Sequence, residues 1–304
     1  MSGARRVLAG KLGEFVQDHG THRLVAVPWP SPTTGRARLV PERRGLSLAP
    51  EGSWKTRSVC TKLVRAFGME HVGVHVEVMS SLHTSKGCGT SSVEMRAAAE
   101  ALAHCLGLEL DMRRLARWMT QIEPSDAIAS DGRPIAWDYL RGKALSREMR
   151  LPVGYYVGGY PLASSLDTDA VDRQRPRYRP REARDIDAAF DQAMEAIRKG
   201  DLPLLGEAAS LSAELNDRYF PKPELPLLQS LRRDWSCLGY WVAHSGVAFG
   251  LMTEVERGPA LLRRVARSLG PGYRIQGFSN DPDTLAHPFL AGCGSRLVSV
   301  PSAA

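Results

Sequence analysis

The chain has 304 residues, of which 43% are hydrophobic and 24% carry a charge. These proportions are typical of a folded globular protein and exclude an intrinsically disordered one, and the length allows one large domain or two of ordinary size. The formal net charge is +7, but basic and acidic residues are interleaved, so we expect no nucleic-acid partner. The same positive excess would attract a small polyanion such as a nucleotide phosphate.

Membrane insertion and disulfide chemistry are not expected either. No stretch approaches the roughly 18 successive apolar residues of a membrane helix, and charged residues follow the start of the chain before any apolar signal region develops. We therefore expect a cytoplasmic protein with no membrane partner. The cysteines are odd in number and irregularly spaced, which predicts reduced thiols rather than disulfides or a zinc site. They are Cys60, Cys88, Cys105, Cys237 and Cys293.

Short β-type runs with proline and glycine turns dominate the first 80 residues, and the apolar spacing then changes to a helical period over 93–106, ended by Gly107. A polar stretch rich in Arg and Pro over 167–181 is interpreted as a linker or exposed loop. Helices mixed with antiparallel strands predict an α+β fold in two halves. The predicted strands are 23–27, 37–40, 73–79, 153–157, 240–244, 247–252 and 273–277, and the further predicted helices are 111–120, 185–199, 204–219, 225–238 and 259–269.

The segment 86–92 (Lys-Gly-Cys-Gly-Thr-Ser-Ser) is a loop of glycines and hydroxyls at the predicted start of a helix. Unpaired backbone amides and the positive end of the helix dipole favour an anion there, and the hydroxyls could bind phosphate or Mg²⁺. The same residues fit a capping box, since Ser91 and Glu94 match S-x-x-E, which would stabilise the helix without any ligand. The local pattern leaves both interpretations open.

Two further segments favour phosphate chemistry: 9–15 (Ala-Gly-Lys-Leu-Gly-Glu-Phe), placed just before the first predicted strands, and 243–250 (Ala-His-Ser-Gly-Val-Ala-Phe-Gly). With the central loop they resemble, in order and separation, the three motifs of the GHMP kinases, G-[RK]-x-x-G-E, G-L-G-S-S-A and S-G-x-x-x-G. This resemblance spans nearly the whole chain. It departs from the family pattern at His83, where proline is usual, and at Cys88-Gly89-Thr90.

Within that superfamily the chain resembles the L-threonine kinases of cobalamin side-chain biosynthesis. Residues 12–17 (Leu-Gly-Glu-Phe-Val-Gln) are similar to their C-G-E-L-I-Q segment, and the run from Lys86 is similar to K-G-M-A-S-S-T-A-D. Residues 122–126 (Ile-Glu-Pro-Ser-Asp) are similar to their E-P-T-D element, which is the most discriminating of the three matches.

The resemblance implies a two-domain GHMP kinase fold. Residues 1–165 would form an N-terminal α+β domain that binds ATP, and residues 166–304 would form a ferredoxin-like C-terminal domain. The active site would lie in the cleft between them and use ATP and Mg²⁺. We expect a monomer or a homodimer.

The resemblance also implies roles for single residues. The nucleotide would be held by Lys86, Gly87, Cys88, Gly89, Thr90, Ser91 and Ser92, and Mg²⁺ by Ser91 and Glu123. Asp126 would act on the acceptor hydroxyl and Lys86 would stabilise charge beside the transferred phosphoryl group, although Glu123 and Asp126 could exchange roles. The acceptor would be flanked by Lys11, Gly13, Glu14, His244, Ser245 and Gly246. Residues 123–126 could otherwise form an ordinary turn, since Pro, Ser and Asp favour turns.

The expected reaction is transfer of the γ-phosphoryl group of ATP to the hydroxyl of a hydroxy-amino acid, with L-threonine giving O-phospho-L-threonine as the first candidate. Another alcohol, such as homoserine, a sugar or a hydroxylated arginine, is the alternative within the enzyme class. A regulatory protein that keeps the fold and has lost turnover is the alternative outside it, although Ser91, Glu123 and Asp126 argue against this.

Overall fold

The computed structural model describes residues 3–51, 53–126, 133–164, 178–281 and 296–299. Most of the predicted linker at 167–181, the predicted domain boundary at 165/166 and Cys293 lie outside these residues. The other four cysteines are free thiols, as expected. Among the helices of the described ranges, none combines the length and apolar character needed to cross a bilayer.

Strands and helices follow one another in the mixed order that the sequence predicts. The strands are β1 (Gly3–Asp18), β2 (Arg23–Leu39), β3 (Leu46–Ala49), β4 (Val74–Ser80), β5 (Ala136–Asp138), β6 (Lys143–Ala144), β7 (Tyr155–Pro161), β8 (Gly239–Val242), β9 (Phe249–Thr253), β10 (Tyr273–Ser279) and β11 (Arg296–Ser299). The helices are α1 (Trp54–Ala66), α2 (Thr90–Cys105), α3 (Met112–Thr120), α4 (Pro180–Lys199), α5 (Leu202–Asp217), α6 (Leu225–Asp234) and α7 (Gly258–Leu269), with a 3₁₀ turn at Val255–Arg257.

The strands form one sheet in the order β11-β10-β7-β9-β8-β1-β2-β4-β3, with β5 and β6 attached beside β2. Only the pair β3 and β4 is parallel among the described strands. Strand β1 joins the two halves, because it pairs with β2 along most of its length and with β8 at Glu14 and Val242. The first motif therefore sits where the N-terminal strands meet the C-terminal ones.

Helices from both halves pack on β1: α2 from the first half, and α4 and α5 from the second. Helix α2 approaches β2 closely, since a Cβ atom at Gly35 would lie 2.2 Å from the carbonyl oxygen of Ala97. Its buried face consists largely of alanine, which permits this short distance between helix and sheet. The start of α2 is thereby held against the central strand.

The predicted helices and strands are all present, but among the described elements one helix, α1, and five strands were missed, namely β1 and the short strands β3, β5, β6 and β11. Strand β1 was not predicted, so the motif at 9–15 lies inside a strand rather than before one, and Lys11 is not in a loop. The separate predictions 23–27 and 37–40 belong to the single strand β2. Helix α1 was also missed, although its buried residues follow a helical spacing: Thr56, Val59, Cys60, Leu63 and Val64.

Candidate active site

The three motif segments meet through their backbones. The amide of Gly13 donates to the carbonyl of Gly87 (3.0 Å). A Cβ atom at Gly246 would lie 2.4 Å from the Cα atom of Gly87, so this contact needs glycine. The predicted grouping of these three glycines is thus present, and their role is to bring the loop backbones together.

The start of α2 carries no side-chain cap. Gly89 precedes the helix in the left-handed conformation (φ 61°), and no side chain of the described residues caps the first turn. The hydroxyl of Thr90 donates instead to the carbonyl of His83 (3.0 Å), and Ser92 Oγ accepts the amide of Asp126 (3.2 Å). The capping-box alternative is therefore not formed, and the first-turn amides remain suited to an anion.

A cavity of about 270 Å³ opens in front of this helix start. The loop and the segment 123–126 form part of its wall, and Lys11 and Ser245 bring the other two motifs to it. Glu123, Pro124 and Asp126 are the residues of that segment that lie on the wall. Among the described residues, sequence reasoning missed nine further wall residues, which are Gln17, Leu24, Ser53, Trp54, Lys55, Thr84, Ser85, Glu94 and Tyr139.

A buried cluster of charges lies at the base of the cavity. The ammonium group of Lys11 contacts Oδ1 of Asp126 (2.5 Å) and Oε1 of Glu14. Burial alone would lower the pKa of Lys11, but the two carboxylates outweigh burial and raise it. Burial raises the pKa of Asp126 above the ordinary aspartate value, although Lys11 opposes this. The result is a fixed ammonium group beside a carboxylate that faces the cavity.

Glu14 and His244 lie behind Lys11. Oε2 of Glu14 accepts the backbone amide of His244 (2.8 Å), and Nδ1 of His244 is 3.5 Å from the same oxygen. Nε2 of His244 is 3.0 Å from the hydroxyl of Ser212. Burial lowers the pKa of His244, and Lys11 holds the pKa of Glu14 well below its usual range despite burial. His244 is thus placed behind Glu14 and not on the cavity wall beside the acceptor.

Glu123 reaches the cavity from the opposite side. Its Oε2 accepts a hydrogen bond from the ammonium group of Lys55, whereas its Oε1 is buried without a partner among the described residues. Ser91 lines the same cavity. A buried free carboxylate oxygen and a nearby hydroxyl fit Mg²⁺, which usually takes only one or two protein oxygens and completes its shell with phosphates and water. The described residues contain no cluster of three or more metal-ligating side chains.

The structure places Lys86 differently from its predicted role beside the phosphoryl group. Its ammonium group donates to the carbonyls of Pro161 (3.0 Å), Leu162 (2.9 Å) and Ser164. The side chain is buried and lies outside the wall formed by the described residues. Two other lysines meet carboxylates at the cavity: Lys11 contacts Asp126, and Lys55 contacts Glu123.

A family model matches the part of the chain that contains the loop 86–92, and solved structures of kinases have a similar fold. Residues 55–131 match the family model described as GHMP kinases N terminal domain. The fold is similar to that of mevalonate kinase from Methanococcus jannaschii, with a TM-score of 0.72 and 13% identity over 90% of this chain and 97% of that one. Homoserine kinase from Cytophaga hutchinsonii gives a TM-score of 0.71 and 14% identity over 98% of both chains. The chain therefore has the fold of these kinases, and its residues 55–131 are similar to the N-terminal domain of the GHMP kinases.

Two proteins of known function are similar to this chain in sequence, and both are L-threonine kinases. The L-threonine kinase of Salmonella typhimurium is 31% identical over 191 residues, which cover 60% of this chain and 61% of that protein. The L-threonine kinase of Citrobacter freundii is 29% identical over 187 residues, covering 60% and 64%. The chain thus spans about three fifths of the curated relatives that it matches. The predicted resemblance to this group and the predicted α+β GHMP kinase fold are confirmed.

Proposed function

We propose that this protein is an ATP-dependent kinase that phosphorylates the hydroxyl of a hydroxy-amino acid, with L-threonine as its acceptor. The observation that carries the proposal is the contact between Lys11 and Asp126 at the base of a cavity bounded by an uncapped helix start. The similarity to two L-threonine kinases supports the choice of acceptor.

Asp126 is the proposed base. One of its carboxylate oxygens would take the proton of the acceptor hydroxyl. The hydroxyl oxygen of the acceptor would attack the γ-phosphorus at the same time, and ADP would leave. Its raised pKa makes it a stronger base than an ordinary aspartate, while Lys11 keeps the carboxylate oriented. The same ammonium group would stabilise negative charge that develops between the acceptor oxygen and the transferred phosphoryl group.

Glu14 and His244 are proposed to hold Lys11 in place. Glu14 accepts from the Lys11 ammonium with one oxygen and from the His244 amide with the other. Both residues are almost fully buried, so Lys11 has few alternative positions. This role replaces direct contact between His244 and the acceptor.

The nucleotide would bind with its phosphates at the amides and hydroxyls of residues 87–92. Mg²⁺, when bound there with the nucleotide, would neutralise phosphate charge. Oε1 of Glu123 and the Ser91 hydroxyl are the groups that would hold it. This distribution leaves Asp126 for the acceptor, and of the two role assignments considered from sequence it is the one that we propose.

A direct test measures ADP release with L-threonine, L-serine, L-homoserine, galactose and mevalonate, with mass detection of the phosphorylated product. We expect L-threonine to give the highest kcat/KM. Phosphorylation of a sugar or mevalonate in place of the amino acids would contradict the acceptor class. Absence of turnover with every alcohol would favour the regulatory alternative.

The role of Asp126 is tested separately with Asp126→Asn. We expect kcat to fall by roughly 10²-fold or more, the typical contribution of a positioned acid–base group, while nucleotide affinity is retained. The matched control is Asp191→Asn, at an exposed position of α4, which should leave kcat unchanged. Near-normal turnover of Asp126→Asn would mean that the base lies elsewhere.

A further inference from the structure

Lys86 is a buried charged group for which the proposed reaction has no use. It is 5% exposed, and no carboxylate of the described residues forms an ion pair with it. An ammonium group has three N–H donors. In Lys86 these three donors match three acceptors, the carbonyls of Pro161, Leu162 and Ser164. No donor remains for a phosphate oxygen.

The main chain of Lys86 is held just as firmly. Its carbonyl accepts the amides of Val247 (3.1 Å) and Ala248 (2.8 Å), which belong to the turn between β8 and β9. Residue 86 is thus attached by its side chain to the end of β7 and by its backbone to the β8–β9 turn. Strands β7, β9 and β8 are neighbours in the sheet, so both attachments are to the same side of it.

We propose that Lys86 is a positioning residue whose ammonium group fills a monovalent-cation site of three carbonyls and thereby anchors the phosphate loop to the end of β7. Three carbonyl oxygens converging on one positive charge are the surroundings that carbonyl-lined sites provide for K⁺. The lysine supplies that cation as part of the chain. The next residue, Gly87, begins the proposed phosphate loop, so the direction of its amides depends on this anchor.

The anchor is tested first by stability, which does not depend on the proposed function. Lys86→Met removes three hydrogen bonds, which is destabilising, and it leaves the carbonyl of the buried residue Pro161 without this donor, whereas Leu162 and Ser164 are exposed to water. We expect the Tm of the nucleotide-free protein to fall by at least about 4 °C. The matched control is Lys143→Met, at an exposed position of β6, whose Tm should stay within about 1 °C of wild type. An unchanged Tm for Lys86→Met would overturn the proposal.

The cation site is tested with Lys86→Ala, which removes the ammonium group and opens the space that it fills. We expect KCl or NH₄Cl to restore part of the lost Tm relative to choline chloride at the same ionic strength, with no such difference for wild type. Equal Tm values in all three salts would refute a three-carbonyl cation site.

The loop-positioning role is tested by kinetics and rests on the proposed kinase function. Displaced loop amides weaken ATP binding in the ground state and the transition state alike. Lys86→Met should therefore raise KM for ATP roughly tenfold to a hundredfold, with kcat within about threefold of wild type. A kcat loss of about 10²-fold with unchanged KM would instead place the ammonium group on the transferred phosphoryl group. An inactive wild-type protein whose Lys86→Met Tm still falls would refute the kinase function and leave the anchor standing.

A labelling experiment on the wild-type protein keeps the proposal testable if the variants do not fold. Lysines are acetylated with a water-soluble ester, with and without Mg²⁺-ATP, and quantified by mass spectrometry. We expect Lys86 to resist labelling in both states while Lys143 reacts in both. Labelling of Lys86 that ATP suppresses would show that it faces the nucleotide and would overturn the anchor.

Discussion

Glu94 is half-buried on the cavity wall, at a cost to stability that depends on pH. It lies in the first turns of α2, and burial is the only influence that shifts its carboxyl group, raising the pKa to about 7. Its ordinary value is near 4.5. Replacing it with glutamine keeps the shape of the side chain and removes the ionisation. Glu94→Gln is therefore expected to stabilise the protein above pH 7.

The sign and size follow from proton linkage. Between about pH 4.5 and 7 the unfolded chain has lost the proton of Glu94 and the folded protein has kept it. Folding stability contributed by this group therefore falls as the pH rises through that window and stays low above it. A difference of about 2.5 pH units at 1.36 kcal/mol each is an upper limit of about 3.4 kcal/mol. Residual contact with solvent reduces this to about 2 kcal/mol.

The assay is urea unfolding of wild type and Glu94→Gln at pH 4.5 and pH 8. We expect free energies of unfolding within about 0.5 kcal/mol of each other at pH 4.5, and a variant about 2 kcal/mol more stable at pH 8. The control is Glu70→Gln, an exposed glutamate after α1, which should change neither value. A variant that is equally stable or less stable than wild type at pH 8 would refute the reasoning.

Three further predictions concern the cavity. Glu123→Gln is expected to weaken nucleotide binding about tenfold with Mg²⁺ and to leave binding in EDTA unchanged, as measured by calorimetry, because it alters the buried oxygen proposed to hold the metal. Gly89→Ala should lower turnover at least about tenfold, since its Cβ atom would lie 2.9 Å from both Oδ2 of Asp126 and Cγ of Lys11. The control is Gly68→Ala, because Gly68 also has a positive φ (66°) but has open space around it. This variant should lower only Tm, by a few degrees. With 1-amino-2-propanol in place of L-threonine, kcat/KM should fall at least about 10²-fold, because the amino-acid carboxylate is lost, and equal values would contradict amino-acid recognition.

The local sequence was sufficient for most helices and strands. Helix α2 has apolar residues at a helical period and ends before Gly107, and β4 alternates valines with polar residues. Strand β1 escaped this reasoning because helices from both halves pack on it and its second half is buried at every position, so it shows no alternation. The glycines and charged residues within it, such as Gly13 and Glu14, are also typical of a loop.

The predicted site residues lie in four segments, 9–15, 86–92, 123–126 and 243–250, and residues of all four line one cavity. The contacts between individual side chains of the site were not predicted. Lys11 and Lys86 are both lysines in glycine-containing motifs, and from sequence they were given related tasks near the substrates. In the structure Lys11 contacts Asp126, whereas Lys86 turns to the carbonyls at the end of β7. Nothing local to residue 86 identifies acceptors that lie 75 residues or more further along the chain.

The sequence by itself determined the helix and strand periods, the loop at the start of α2 and the resemblance to the GHMP kinases, because each depends on residues close together in the chain. Only the tertiary structure decided that His244 lies behind Glu14, that Lys55 occupies one oxygen of Glu123, and that Lys11 is the cation beside Asp126. These contacts join residues that are far apart in sequence and are set by how the sheet brings β1, α1 and the β8–β9 turn together. A buried charge is stable only beside a partner, and the fold selects which partner is within reach.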